Sequence, residues 1–221
     1  MKNLLLAAAF TAVFTAPAWA DDTQHLVDSS TLALQDMMSG SQGGQIQAFL
    51  RKSWAVAICP NVFRAGFIIG GEGGGCVLTA RTESGGWSNP AIYSMGGGSF
   101  GLQIGLQNAE VMMIVMTKGG LNALLNSHFK IGADAGITVA TLGAGVNGSM
   151  SMATNADIIS FSKSQGLYGG VSLAGNVMSN DPGREQKYYG QTLDARQIVI
   201  DGMGNNPGAN PLRELLTRYG N

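Results

Sequence analysis

The sequence predicts an α+β fold: a single domain with a highly curved, Gly-rich antiparallel β-sheet, or a barrel-like one, with N- and C-terminal helices packed on it. Gly66 to Gly175 holds 24 of the 33 glycines, interleaved with short runs of β-branched and aromatic residues, the composition of tightly twisted or bulged strands. Phe100, Leu102, Ile104 and Leu106 alternate with Gly101, Gln103, Gly105 and Gln107, which is the period of a strand with one apolar face and one face of glycine and amide. Outside this block, apolar residues return every three or four positions, as on a half-buried helix.

Residues 1–20 read as an export signal. Lys2 gives the positive start, Leu4 to Phe14 the apolar core, and Ala18-Trp19-Ala20 the small-x-small site before Asp21. The expected destination is periplasmic or secreted, with peripheral attachment to a membrane also open. A first helix is expected from Asp21 to Ser39, with Leu26, Ala33 and Met37 on one side and Val27, Leu34 and Met38 on the next. Gly40 to Gly44 breaks it. A second helix carries Ile46, Phe49, Leu50 and Trp54 and ends no later than Cys59-Pro60, because a residue before proline is pushed out of the helical region.

Strand-like runs follow at Phe67–Ile69, Cys76–Ala80, Ala91–Met95, Phe100–Leu106, Val111–Thr117, Ile137–Thr141, Ile158–Ser162 and Val171–Val177, with a helical interruption from Gly119 to Phe129. After the turn Asn180-Asp181-Pro182-Gly183, helices are expected at Glu185–Gly190, Leu193–Asp201 and Pro211–Tyr219, the last with proline at its start. The organisation is therefore signal 1–20, N-terminal helices 21–54, β-rich core 55–190, and C-terminal helix and tail 191–221.

Composition removes several functions. The 13 Lys and Arg nearly balance 14 Asp and Glu, and no basic run exceeds Arg51-Lys52, so the cationic footprint that nucleic acid requires is missing. Val111 to Met116 is the longest run of large apolar residues after the signal, far short of a membrane-spanning helix. Two stretches match G-x-G-x-x-G, at Gly96, Gly98, Gly101 and at Gly143, Gly145, Gly148. Neither opens a helix, so no nucleotide is expected.

His25 and His128 lack acids or cysteines at ligand spacing, and no nucleophile-elbow sequence is present. Hence no metal, no cofactor and no catalytic residue is assigned. Glu72 and Glu110, set among apolar residues and glycines, read as buried or turn-capping acids. Asn147-Gly148-Ser149 fits a glycosylation sequon without establishing its use. Seven methionines from Met95 to Met178 read as adaptable core filling, with acyl-chain contact as the alternative.

Cys59 and Cys76 are the only cysteines, and export permits a disulfide between them; the sequence leaves bonded and free states both open. Trp54 with Arg51, Lys52 and Arg64 fits either a small lipid-binding patch or a solvated helix face.

Several ordered motifs then resemble one known family, the SYLF domains. They are Ala57-Ile58-Cys59-Pro60-Asn61-Val62 with Arg64-Ala65-Gly66-Phe67; Gly86-Trp87-Ser88-Asn89-Pro90-Ala91; Gly98 to Gly105; Phe129 to Ala135; Phe161 to Leu173; and Tyr188-Tyr189-Gly190. The resemblance implies lipid or membrane-surface binding without catalysis, through an N-terminal amphipathic segment and nearby basic residues. In this chain those correspond to residues 21–54 and to Arg51, Lys52 and Arg64. Acids on the first helix and the export signal depart from the eukaryotic pattern, so the expected ligand is an anionic envelope phospholipid and actin regulation is not carried over. A protein-interaction or scaffolding module of the envelope, using the Gly/Gln strand face or a sheet edge, is the alternative.

Overall fold

The computed structural model describes residues 22–126, 128–134, 139–142, 155–164, 167–168, 173 and 175–221. Residues 1–20, where an export signal is expected, the second glycine motif and the sequon lie outside the described residues. So do the side chains of the alternating run from Phe100 to Leu106, whose backbone is strand.

Helix α1 (Asp22–Ser39) forms where its periodicity places it, and Leu26, Val27, Ala33, Leu34 and Met37 are all buried. That stripe packs on strand β1 (Ala55–Ala80), leaving Leu32 outside at 64% exposure. Helix α2 (Gly43–Leu50) stops short of the expected end at Trp54 to Cys59. The N–H groups of Arg51, Lys52 and Ser53 wind down on the carbonyls of Gln47, Phe49 and Leu50, and the Trp54 N–H goes instead to Val115 O at 2.8 Å. Ala55 to Ile58 are wholly enclosed in the sheet, so tertiary burial overrides their helical potential.

Five of the expected short strands merge into two long ones. Strand β1 pairs antiparallel with β2 (Ala91–Val115) from Ala55 opposite Val115 to Leu78 opposite Ala91, with register shifts at Cys59/Val62 and Gly66/Ile68. Pro60 falls in the first shift, where a residue without an N–H is tolerated.

The ribbon then doubles back on itself. Arg81 N donates to Trp54 O at 2.9 Å, Cys59 is bonded to Cys76 with Cα atoms 4.1 Å apart, and Asn61 lies against Gly74. These contacts advance in step from both ends of one strand. In a straight strand the two cysteines, 17 residues apart, would stand about 55 Å from each other.

The ends of β2 extend the sheet. Strand β5 (Ile158–Ser164) pairs with its C-terminal part, Ala109–Val115, and β7 (Val177–Asn180) with Tyr93–Gly96. Strand β3 (His128–Lys130) adds to β7, β6 (Leu167–Tyr168) to β5, and β4 (Val139–Leu142) to β5 in parallel, an exception among otherwise antiparallel pairs. The sheet curls into a half-barrel.

Helix α3 (Lys118–Leu124) starts at Thr117, whose Oγ1 accepts the Gly120 N–H at 3.0 Å. It ends before the expected Phe129, because that residue is buried in β3 opposite Met178. Helices α4 (Pro182–Tyr189), α5 (Ala195–Val199) and α6 (Asn210–Gly220) follow, α4 and α5 capped by Asp181 and Asp194. One core holds the sheet and helices together, with Trp87, Tyr93, Phe129 and Phe161 as its largest enclosed side chains.

The doubling of β1 depends on close backbone approach. A Cβ on Gly74 would sit 2.2 Å from Asn61 O, whereas one on Gly44 in α2 meets nothing within 4 Å. Chemical denaturation should therefore show Gly74→Ala losing about 3 kcal/mol or more of stability, with Gly44→Ala neutral or up to about 1 kcal/mol more stable. Replacing both cysteines by serine should cost about 3 kcal/mol, the chain-entropy value for a loop of this length.

Candidate functional site

The doubled ribbon brings its own start, its own end and the exit of β2 to one corner. Arg51 and Lys52 occupy the turn after α2 and are exposed, while Ser53 between them and Trp54 is buried, its hydroxyl donating to Leu50 O at 2.8 Å. Trp54 is 42% exposed. Because Ala55 faces Val115, the start of α3 lands beside it, and Lys118 Nζ sits 4.6 Å from the centroid of the indole ring. Among the described residues no ion pair engages Arg51, Lys52 or Lys118. The corner thus combines a half-bare indole with three cations that are not neutralised by a carboxylate.

Arg81 holds this corner from behind. Its guanidinium donates to Ser53 O and Leu50 O, each at 3.0 Å, and to Gly220 O at 2.6 Å, and lies 4.8 Å over the Trp87 ring. Burial lowers its pKa from the ordinary arginine range. Sequence reasoning passed over Arg81 because one arginine before a polar turn carries no pattern; the doubling of β1 brings it the Leu50 and Ser53 carbonyls, and the end of α6 brings that of Gly220.

Arg64 does not join the corner. It stands ten residues along β1, about 30 Å of strand from Trp54, and is ion-paired with Glu72, the two side chains 14% and 3% exposed. Asn176 Nδ2 donates to the other Glu72 oxygen at 2.5 Å. Here the cation is used to bury an acid. Of the four candidate lipid-binding residues, the structure gathers Arg51, Lys52 and Trp54 and places Arg64 elsewhere.

A second surface lies where α1 crosses β2 and β5. Glu110 and Lys163 are cross-strand partners, and Lys163 also pairs with Asp36 of α1. With Pro60, Asn61, Asn108 and Ala109 these residues line a half-open cleft of about 350 Å³. Phe63, 50% exposed, faces Asn108 across the ladder, and Asn108 donates to Asn61 at 3.0 Å, which puts the phenyl ring at the cleft rim. Burial, then the nearby Asp36 carboxylate, push Glu110 up to about 7. Lys163 holds Asp36 below the usual carboxylate range.

His128 Nδ1 meets Ser179 Oγ at 2.9 Å and His25 Nδ1 meets Ser29 Oγ at 3.5 Å, far apart on β3 and α1. Among the described residues no three His, Cys, Asp or Glu side chains gather as a metal site, and no helix is long and apolar enough to cross a membrane.

A family model for Ysc84, described as "Las17-binding protein actin regulator", matches residues 96–219. SH3 domain-containing YSC84-like protein 1 of Rattus norvegicus and of Homo sapiens are each 26% identical over 160 residues, covering 72% of this chain and 47% of theirs. LAS seventeen-binding protein 3 of Saccharomyces cerevisiae is 26% identical over 170 residues, covering 76% of this chain and 37% of its own. The chain thus spans less than half the length of these relatives.

Glu110 gives a pH dependence with a definite sign. The folded state keeps its proton from the ordinary value of 4.5 up to about 7, so folding binds a proton in that window and stability falls as pH rises through it. Denaturation of Glu110→Gln should lack this part of the fall, about 1 kcal/mol once partial exposure is discounted, and unfolding midpoints from pH 4 to 8 check it.

Proposed function

The chain belongs to the Ysc84 family, and from that premise we propose that it is a non-catalytic module that docks peripherally on an anionic membrane surface through the Trp54 corner. The observation that supports this most directly is the half-exposed indole with Lys118 over its ring and Arg51 and Lys52 beside it in the chain. An indole settles at the headgroup level of a bilayer, and each cation near an anionic surface adds about 1 kcal/mol. Three cations supply about 3 kcal/mol, less than the roughly 4 kcal/mol of a millimolar complex, so the indole decides whether binding is measurable. Docking of this kind is reversible and weakens with salt.

The stripe of α1 has no part in it, because β1 already occupies that face, and Arg64 is committed to Glu72. The segment 1–20 would deliver the module to the cell envelope, where an anionic phospholipid is the ligand.

A protein-interaction module of the envelope is the second reading, favoured by the Phe63 rim of the Asp36–Glu110–Lys163 cleft and by relatives named for binding another protein. Under it, Phe63 is the anchor and the Trp54 corner is incidental.

Co-sedimentation of residues 21–221 with vesicles of phosphatidylcholine and phosphatidylglycerol at low salt tests the choice. The membrane reading expects binding that drops about tenfold in Trp54→Ala, about a hundredfold when Arg51, Lys52 and Lys118 all become Gln, and not at all in Phe63→Ser. Wild-type protein that stays in the supernatant at low salt removes it.

A further inference from the structure

Among the described residues, Glu185 is the charged side chain the fold hides most completely. It lies in the first turn of α4 with no exposed surface, on the buried side with Tyr188 and Tyr189, while Gln186 and Lys187 are exposed. One carboxyl oxygen, Oε1, accepts the Ile92 N–H at 3.1 Å and Asn180 Nδ2 at 2.8 Å. The same Asn180 amide reaches Ile92 O at 3.2 Å, and the Asp181 N–H reaches it at 2.9 Å. A single carboxyl thus stitches α4 to β2 and β7, beside the Tyr93–Asn180 pair at which β7 ends. The other oxygen, Oε2, is buried without a partner.

The charged groups around Glu185 make ionisation costly. The carboxylates of Asp181 and Asp194 act on it, and the enclosed phenols of Tyr93 and Tyr189 stand close enough to be affected in turn. Arg184, its neighbour in the helix, is turned to Asp181 at the surface. One cation, Arg213, acts on Tyr189, and its Nε–H donates to Trp87 O at 2.9 Å.

We propose that Glu185 is a proton-operated lock on the seam between α4, β2 and β7, closed while the carboxyl carries its proton and loosened when it ionises. Protonated, the side chain keeps Oε1 as an acceptor for Ile92 and Asn180 and leaves a neutral hydroxyl in the enclosed pocket. Ionised, it places a bare charge there beside two other acids, a state that burial strongly disfavours. Burial, opposed only in part by the two hydrogen bonds, pushes the group up to about 7, which sets the upper end of the working range near neutral pH. The folded form holds the proton between 4.5 and about 7, so the seam is tightest on the acid side and weakens as pH rises through that window.

The test uses the mature chain, residues 21–221, labelled for NMR. The Glu185 carboxyl carbon should titrate near pH 7, and protection of the Tyr188, Tyr189 and Gly190 amides, corrected for intrinsic exchange, should fall about thirtyfold between pH 5.5 and 8.5. Glu185→Gln keeps the acceptor oxygen and mimics the protonated acid, so its α4 protection should stay level across that range. Glu110→Gln, at the other end of β2, should leave the α4 response as in the wild type. A Glu185 carboxyl titrating near 4.5, or an undiminished loss of protection in Glu185→Gln, overturns the lock.

Discussion

The close approach of Asn61 and Gly74 within one strand sets the geometry of the molecule. A two-stranded ribbon of this length is marginal in water unless something covers it, and here the ribbon covers itself by folding over. Three different interactions hold the fold at successive levels: the Arg81 to Trp54 hydrogen bond at the base, the Cys59–Cys76 bond above it, and the Arg64–Glu72 ion pair beyond. Glycine at position 74 is what lets the two halves touch, since any side chain there would meet the Asn61 carbonyl. Once β1 is doubled, the two ends of β2 lie on opposite flanks, and β5 and β7 have separate edges on which to add.

Much of this was legible in the residues, though not its arrangement. The period-two run and the glycine density announced strands and curvature, and the α1 stripe marked the buried face of a helix that begins and ends within a residue or so of its expected bounds. Strand continuity was not legible, because the glycines at 70–75 and 96–98, which look like breaks, sit inside the continuous ladder from Ile68 to Leu78. The end of α2 was misjudged for a related reason: Trp54 continues the helical spacing, yet Val115, sixty-one residues later, takes its N–H. Long-range hydrogen bonds of that kind leave no mark in a local window.

The same limit explains the cations. Arg51, Lys52 and Arg64 look equivalent along the chain, but one ion pair removes Arg64 from the surface while Lys118, never singled out by spacing, arrives at the Trp54 ring through the β1–β2 register. The amphipathic first helix invites a membrane-insertion reading until β1 is seen to fill its apolar side. Freeing that side would expose five buried apolar residues, at roughly 2 kcal/mol each, more than a few surface charges recover. A corner that docks without unfolding anything is the cheaper solution.

Nuclear Overhauser contacts in uniformly labelled protein address the doubled strand most directly. The account predicts cross-peaks between Trp54 and Arg81 and between Asn61 and Gly74, alongside those of the Ala55–Val115 ladder. A complete β1–β2 ladder in which neither of those pairs is in contact would mean a ribbon that runs straight, and would contradict it.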